Sequence, residues 1–179
     1  PVNNQSGVEP SPPGDLPIPI DTSDWKTYRN EQYGFEVKYP QSWFAYESPE
    51  GAGAMIISLQ NYDRNILNNI NRPIADDKNL FAIEMVIFRN SKNLTLEDFI
   101  DENDKNNFEG TSIKIVVSSQ ETITINGVNG IKRRATSISP LIEYYLGNSE
   151  IILNLAGRQD SNFEDVFEQL VQTVRFLNI

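Results

Sequence analysis

Apolar and polar residues alternate along most of this chain, and the period of the alternation changes twice. Phe35, Val37 and Tyr39 are separated by Glu36 and Lys38, the two-residue rhythm of a strand with one buried and one wet face. Gly34 supplies the turn before this strand. Pro40 ends it because proline has no amide hydrogen for a ladder. Trp43, so close to the strand end, anchors the corner to the core, while Trp25 and Tyr28 pack the start of the domain. Met55, Ile57 and Leu59 predict a second strand over 54–60, joined to the first as a hairpin through a loose loop holding Gly51 and Gly53. Residues 62–79 carry five asparagines and Pro73 and read as a long excursion with at most one helical turn. Residues 80–88, LFAIEMVIF, are apolar on both faces except at Glu84, which predicts a central strand covered on both sides.

The period then lengthens. Leu96, Phe99, Ile100 and Asn103 recur at three-and-four spacing with Glu97, Asp98, Asp101 and Glu102 opposite, predicting a helix within 93–108. Thr95 with Asp98 approximates a capping box, and acidic residues in the first turn suit the helix dipole. Alternation returns over 113–118, and the runs 122–125 and 128–138 flank Asn126-Gly127, a dipeptide that favours the positive φ of a tight hairpin turn. A second hairpin joins 142–146 to 151–156 through Gly147, Asn148 and Ser149. Ser161 and Glu164 match a capping box ahead of Phe163, Val166, Phe167, Leu170 and Val171 on one helical stripe. Val174, Phe176 and Leu177 predict a short closing strand that the helix returns to the sheet.

The N-terminal residues 1–22 fit none of these patterns. Six prolines fall within the first twenty residues, so this stretch reads as an extended linker or tether, with residues 23–179 forming a single domain. A first residue other than Met and a Pro-rich start give the expectation of a mature or trimmed extracytoplasmic protein, secreted or held as a lipoprotein whose signal or anchor has been removed. No apolar run is long enough to span a bilayer.

Lys and Arg number 15 against 25 Asp and Glu, a net charge of -10, which repels nucleic acid. The absence of both cysteine and histidine excludes thiolate nucleophiles, imidazole acid–base chemistry and thiolate- or His-ligated metals. Carboxylates remain the chief candidates for chemistry. Asp76 and Asp77 in the long excursion, with Asp101, Glu102 and Asp104 near the end of the first helix, offer hard oxygen ligands for a calcium-type ion. The stretch DENDKNNFEG departs from an EF-hand loop, with Asn106 where glycine belongs and Ser112 where the bidentate Glu belongs, so a solvated acidic face is the expectation. Lys132, Arg133 and Arg134 form the one basic cluster. On a strand Arg133 faces away from the other two, which favours ion pairing with acidic neighbours over a continuous anion site. Tyr144 and Tyr145 likewise take opposite faces, one in the core and one free to bind. No G-x-S-x-G occurs. No catalytic, cofactor-binding or metal-ligating residue is assigned, and no cofactor is expected.

The segments WKTYRN at 25–30, GFEVKYPQSW at 34–43, LTLEDF at 94–99, INGVNG at 125–130 and FEDVFEQLVQTVRF at 163–176 together resemble the PsbP-like family. That family comprises the extrinsic photosystem II subunit and many uncharacterised bacterial secreted proteins and lipoproteins. The resemblance implies an α+β fold, an antiparallel sheet of about six or more strands with helices on both faces. It also implies a non-catalytic accessory or assembly role. With the Pro-rich tail, the expectation is a cell-envelope domain that works by contact with a protein partner and is tethered to a membrane or complex through that tail. A small-ligand or divalent-cation module, with its pocket beside residues 62–79, is the alternative. A carboxylate-based hydrolase is a third, weaker reading.

Overall fold

A computed structural model describes residues 20–51, 54–67, 79–147, 149–159 and 162–177. In chain order its strands are β1 (Lys26–Asn30), β2 (Phe35–Tyr39), β3 (Phe44–Gly51), β4 (Ala54–Gln60), β5 (Ala82–Arg89), β6 (Val116–Ile125), β7 (Val128–Thr136), β8 (Pro140–Gly147), β9 (Ile151–Arg158) and β10 (Arg175–Phe176). A single-turn α1 (Arg64–Leu67) lies between β4 and β5, α2 (Leu96–Phe108) between β5 and β6, and α3 (Glu164–Gln172) between β9 and β10. The strands form a three-stranded sheet, β1-β2-β10, and a seven-stranded sheet, β3-β4-β5-β9-β8-β7-β6. Every pairing in both is antiparallel.

This arrangement corrects the expected first hairpin. β2 does not pair with β4; it pairs with β1 and β10, and β4 pairs with β3. The chain turns sharply after Pro40, where Trp43 donates its amide to the Pro40 carbonyl at 3.0 Å, and sets off at once as β3 in the larger sheet. Pro49 and an irregular register between Ser48 and Gly51 hid β3 from a simple alternation count. The closing strand likewise returns to the smaller sheet, beside β2. The stretches expected as separate strands over 113–118 and 122–125 give the single β6, which shifts register between Val117 and Ser119.

The larger core joins both sheets to α3. Phe35 and Val37 of β2, Leu59 of β4, Met85 of β5 and Leu155 of β9 share one cluster with Phe167, Leu170 and Val171 of α3. At its heart Trp43, Phe81 and Phe163 lie with ring centroids 5.8–6.0 Å apart, and Phe81 also meets Phe167 at 6.3 Å. Gly157 permits this approach, because a Cβ there would sit 2.9 Å from Phe167 Cδ1 and 3.0 Å from Phe81 Cζ. The capping box expected for α3 is not what starts it. Phe163 is the N-cap without a side-chain hydrogen bond, Ser161 lies outside the described residues, and Glu164 instead pairs with Arg134 of β7.

The second core is smaller. Ile100 of α2 packs with Ile131 of β7, Tyr145 of β8 and Ile152 of β9, flanked by Leu96 and Phe99. Thr95 caps α2 as the sequence indicates: its Oγ accepts from the Asp98 amide at 3.1 Å, and its hydroxyl donates to Asp98 Oδ2 at 2.9 Å. Both tyrosines of β8 are buried, which corrects the expectation of one exposed ring. Tyr144 meets Phe167 of α3 at 5.4 Å and Tyr145 joins the α2 cluster.

Strands dominate the layers, and the three-stranded sheet shares the larger core with α3. β5 lies inside the larger sheet between β4 and β9, with Ile83, Met85 and Ile87 buried. Its other face is covered only in part. Phe88 lies 5.1 Å from Phe99 of α2, Val86 is half-buried and Glu84 is exposed.

Candidate functional site

The partial cover over the α2 side of the sheet leaves a cleft, and the residues around it follow from strand register. Arg133 stands opposite Glu143 in the β7–β8 ladder, Tyr145 opposite Asn154 in β8–β9, and Asn154 opposite Val86 in β9–β5. Side chains two apart on a strand share a face, so Arg133, Glu143, Tyr145, Asn154 and Val86 converge beneath the second half of α2. Together with Asn103, Asp104 and Asn107 of α2 they line a cleft of about 180 Å³.

Arg133 organises the polar part of this cleft. Only 2% of it is exposed, and each nitrogen of its guanidinium donates. Nη1 and Nη2 reach the two carboxylate oxygens of Asp104 at 2.7 and 2.9 Å, Nε reaches Glu143 at 2.7 Å, and Nη2 also reaches the Tyr145 hydroxyl at 3.1 Å. The planar fork matches a carboxylate two bonds at a time. Burial draws the Arg133 pKa down, but hydrogen bonding to Asp104 and the fields of Tyr145 and Glu143 outweigh it, so the guanidinium sits above its ordinary value. The Tyr145 phenol is pushed up, first by burial and then by the charge of Glu143, to which it donates at 3.2 Å. Two carboxylates around one guanidinium leave the cluster with one formal negative charge in excess.

Asn154 is the exception to this pairing. It is 8% exposed, and its Nδ2 has no hydrogen-bond partner. A buried amide donor left unsatisfied costs about 1–3 kcal/mol, and such a group calls for an explanation in terms of strain, a site or a guest.

The other basic residues face away from the cleft, as alternation requires. Lys132 pairs with Glu168 of α3 at 2.6 Å, and Arg134 pairs with Glu164 and, at 3.7 Å, with Glu168. The basic cluster is thus consumed in ion pairs, one cross-strand and the others to helices. The proposed oxygen ligands are not brought together: Asp104 turns inward to Arg133, Glu102 pairs with Lys92 and Asp101 is exposed, while Asp76 and Asp77 lie outside the described residues. Among the described residues no group of three or more carboxylates is placed to hold a metal ion.

A second cleft of about 280 Å³ lies on the other side of Phe88 and Asn103. Its buried amide, Asn90, is occupied: Nδ2 donates to the Leu94 carbonyl at 3.0 Å and Oδ1 accepts from the Leu94 amide at 2.9 Å. The surface has one further feature. Among the described residues β6, at the end of the larger sheet, pairs with β7 alone, and it is exposed along nearly all of its ten residues. Val116 is 63% exposed and Ile138, just past the facing end of β7, 83% exposed. Among the described residues no helix is long and apolar enough to cross a membrane.

No family model matches the chain, and no curated protein matches it. Solved structures do. A Bacteroides thetaiotaomicron protein aligns at 14% identity and a TM-score of 0.43, over 86% of this chain and 48% of its own. The solution structure of cyanobacterial PsbP (CyanoP) from Synechocystis aligns at 12% identity over 92% of this chain and 97% of its own, with a TM-score of 0.58. Two antiparallel sheets with two multi-turn helices, aligned over nearly the whole of both chains, give this protein the fold of PsbP.

Proposed function

We propose that the domain is a non-catalytic accessory module that works by contact with a protein partner outside the cytoplasm, with residues 1–22 serving as its tether. The observation that carries this reading is the open β6 edge. A long edge strand offers unpaired backbone donors and acceptors, and natural proteins usually blunt such edges with charge, proline or cover. β6 bears a single charged side chain, Glu121, no proline, and two neighbouring exposed valines, Val116 and Val117. Strand addition at such an edge is a common mode of peptide recognition. The fold supports the same reading, since the resemblance noted above is to accessory proteins, although a fold alone does not carry function.

Site-specific photo-crosslinking in the native cells tests this. A photoreactive residue at Val117 should give one discrete adduct to another protein, and the same residue at exposed Asp101 of α2 should give none. Identical labelling at both positions, or none at Val117, contradicts the proposal.

A further inference from the structure

We infer that the cleft between α2 and strands β7, β8, β9 and β5 is a binding site for a small uncharged polyol of monosaccharide size. This site is separate from the β6 edge and does not rest on it.

The chemistry of the walls selects the guest. Asn154 lines the cleft and its buried Nδ2 has no partner within the protein, so a guest that reaches it must offer an acceptor. Asp104 and Glu143 outnumber the one guanidinium, whose nitrogens are all engaged within the protein, so an anion meets repulsion without a free cation to receive it. A simple cation satisfies the carboxylates and leaves Asn154 unmatched. A hydroxyl does both tasks, accepting from Asn154 Nδ2 and donating to the remaining lone pairs of Asp104 or Glu143. Phe88 and Val86 supply the apolar wall against which the C–H face of a sugar ring can lie. At about 180 Å³ the cleft is smaller than pockets that take drug-sized ligands, roughly 300–1,000 Å³, which limits the guest to about one ring.

The test uses the whole chain, isotopically labelled, titrated separately with D-glucose, N-acetylglucosamine, inorganic phosphate and ethylammonium while amide NMR signals are followed. The expected result is a saturable shift of the Asn154 side-chain amide, together with those of Asn103 and Asn107, on addition of at least one sugar and with neither ion. Asn154→Leu should weaken that binding about tenfold or more, the loss of one well-made hydrogen bond, while the rest of the spectrum shows the fold intact. No saturable shift with either sugar, saturation by phosphate or ethylammonium alone, or unchanged sugar binding in Asn154→Leu overturns the inference. A slowly exchanging water as the sole partner of Asn154 overturns it as well.

Discussion

Arg133 and Asp104 meet through two parallel hydrogen bonds of 2.7 and 2.9 Å, which tie the middle of β7 to the second half of α2. Asp104→Ala leaves the guanidinium buried with Glu143 as its one remaining carboxylate. Removing one partner of a buried pair costs about 3–5 kcal/mol, and the low end, about 3 kcal/mol, is expected because Asp104 is itself partly open to water. Urea unfolding monitored by circular dichroism measures the loss. Glu31→Ala, which breaks the exposed pair with Arg29, should leave the same midpoint unchanged.

Asn154→Leu should stabilise the protein. Leucine has the same number and branching of side-chain heavy atoms as asparagine and removes a buried donor that has no partner. The gain should be about 1–2 kcal/mol, read as a higher thermal midpoint. An unchanged or lower midpoint would mean that the Asn154 amide is already satisfied in the free protein.

Alkaline pH should unfold the domain through its tyrosines. Burial is the first cause raising the phenols of Tyr28, to about 12, and of Tyr144 and Tyr145 above their ordinary value of 10.0. A folded-state pKa above the unfolded one stabilises the protein fully below pH 10.0, and this contribution is lost as pH rises from there through the folded value. Phenolate absorbance should therefore lag behind that of free tyrosine and then rise together with loss of the circular dichroism signal. A smooth titration centred near pH 10 with the fold intact would contradict this.

Gly157→Ala should cost about 1–3 kcal/mol by overpacking, since the new methyl group meets the rings of Phe167 and Phe81 at 2.9–3.0 Å. Adding the smaller change Phe81→Leu should restore part of the loss. A double-mutant cycle on thermal midpoints reads the coupling.

Local chemistry made some elements legible and long-range geometry hid others. Asn126 and Gly127 take φ values of 49° and 84°, the turn that the dipeptide encodes by itself. Its side chain does more than the pair signals: Nδ2 donates to the carbonyls of Gln172 and Val174, fastening the β6–β7 hairpin to the end of α3, and no pattern of neighbours marks that contact. Thr95 was readable for the same reason as the turn, because a cap acts within one helical turn. The partner of β2 was not. Alternation shows that a strand has two faces, but which strand it pairs with depends on where the chain goes after Pro40.

The candidate site divides in the same way. The opposite facing of Arg133 from Lys132 and Arg134 follows from the strand period, and so does the expectation of acidic partners. Asn154 sits inside the apolar run ILNLAG of β9, and the strand period alone does not single it out. A lone amide flanked by Leu153 and Leu155, both buried, is the signal that could have found it.

The open β6 edge is the centre of the functional reading, and amide hydrogen exchange tests it most directly. In the isolated domain the β6 amides should exchange fast while those of β8 and β9 are protected, and addition of the protein captured by crosslinking at Val117 should protect β6 selectively. Fast β6 exchange that persists in the saturated complex, with protection appearing elsewhere, would contradict strand addition at this edge.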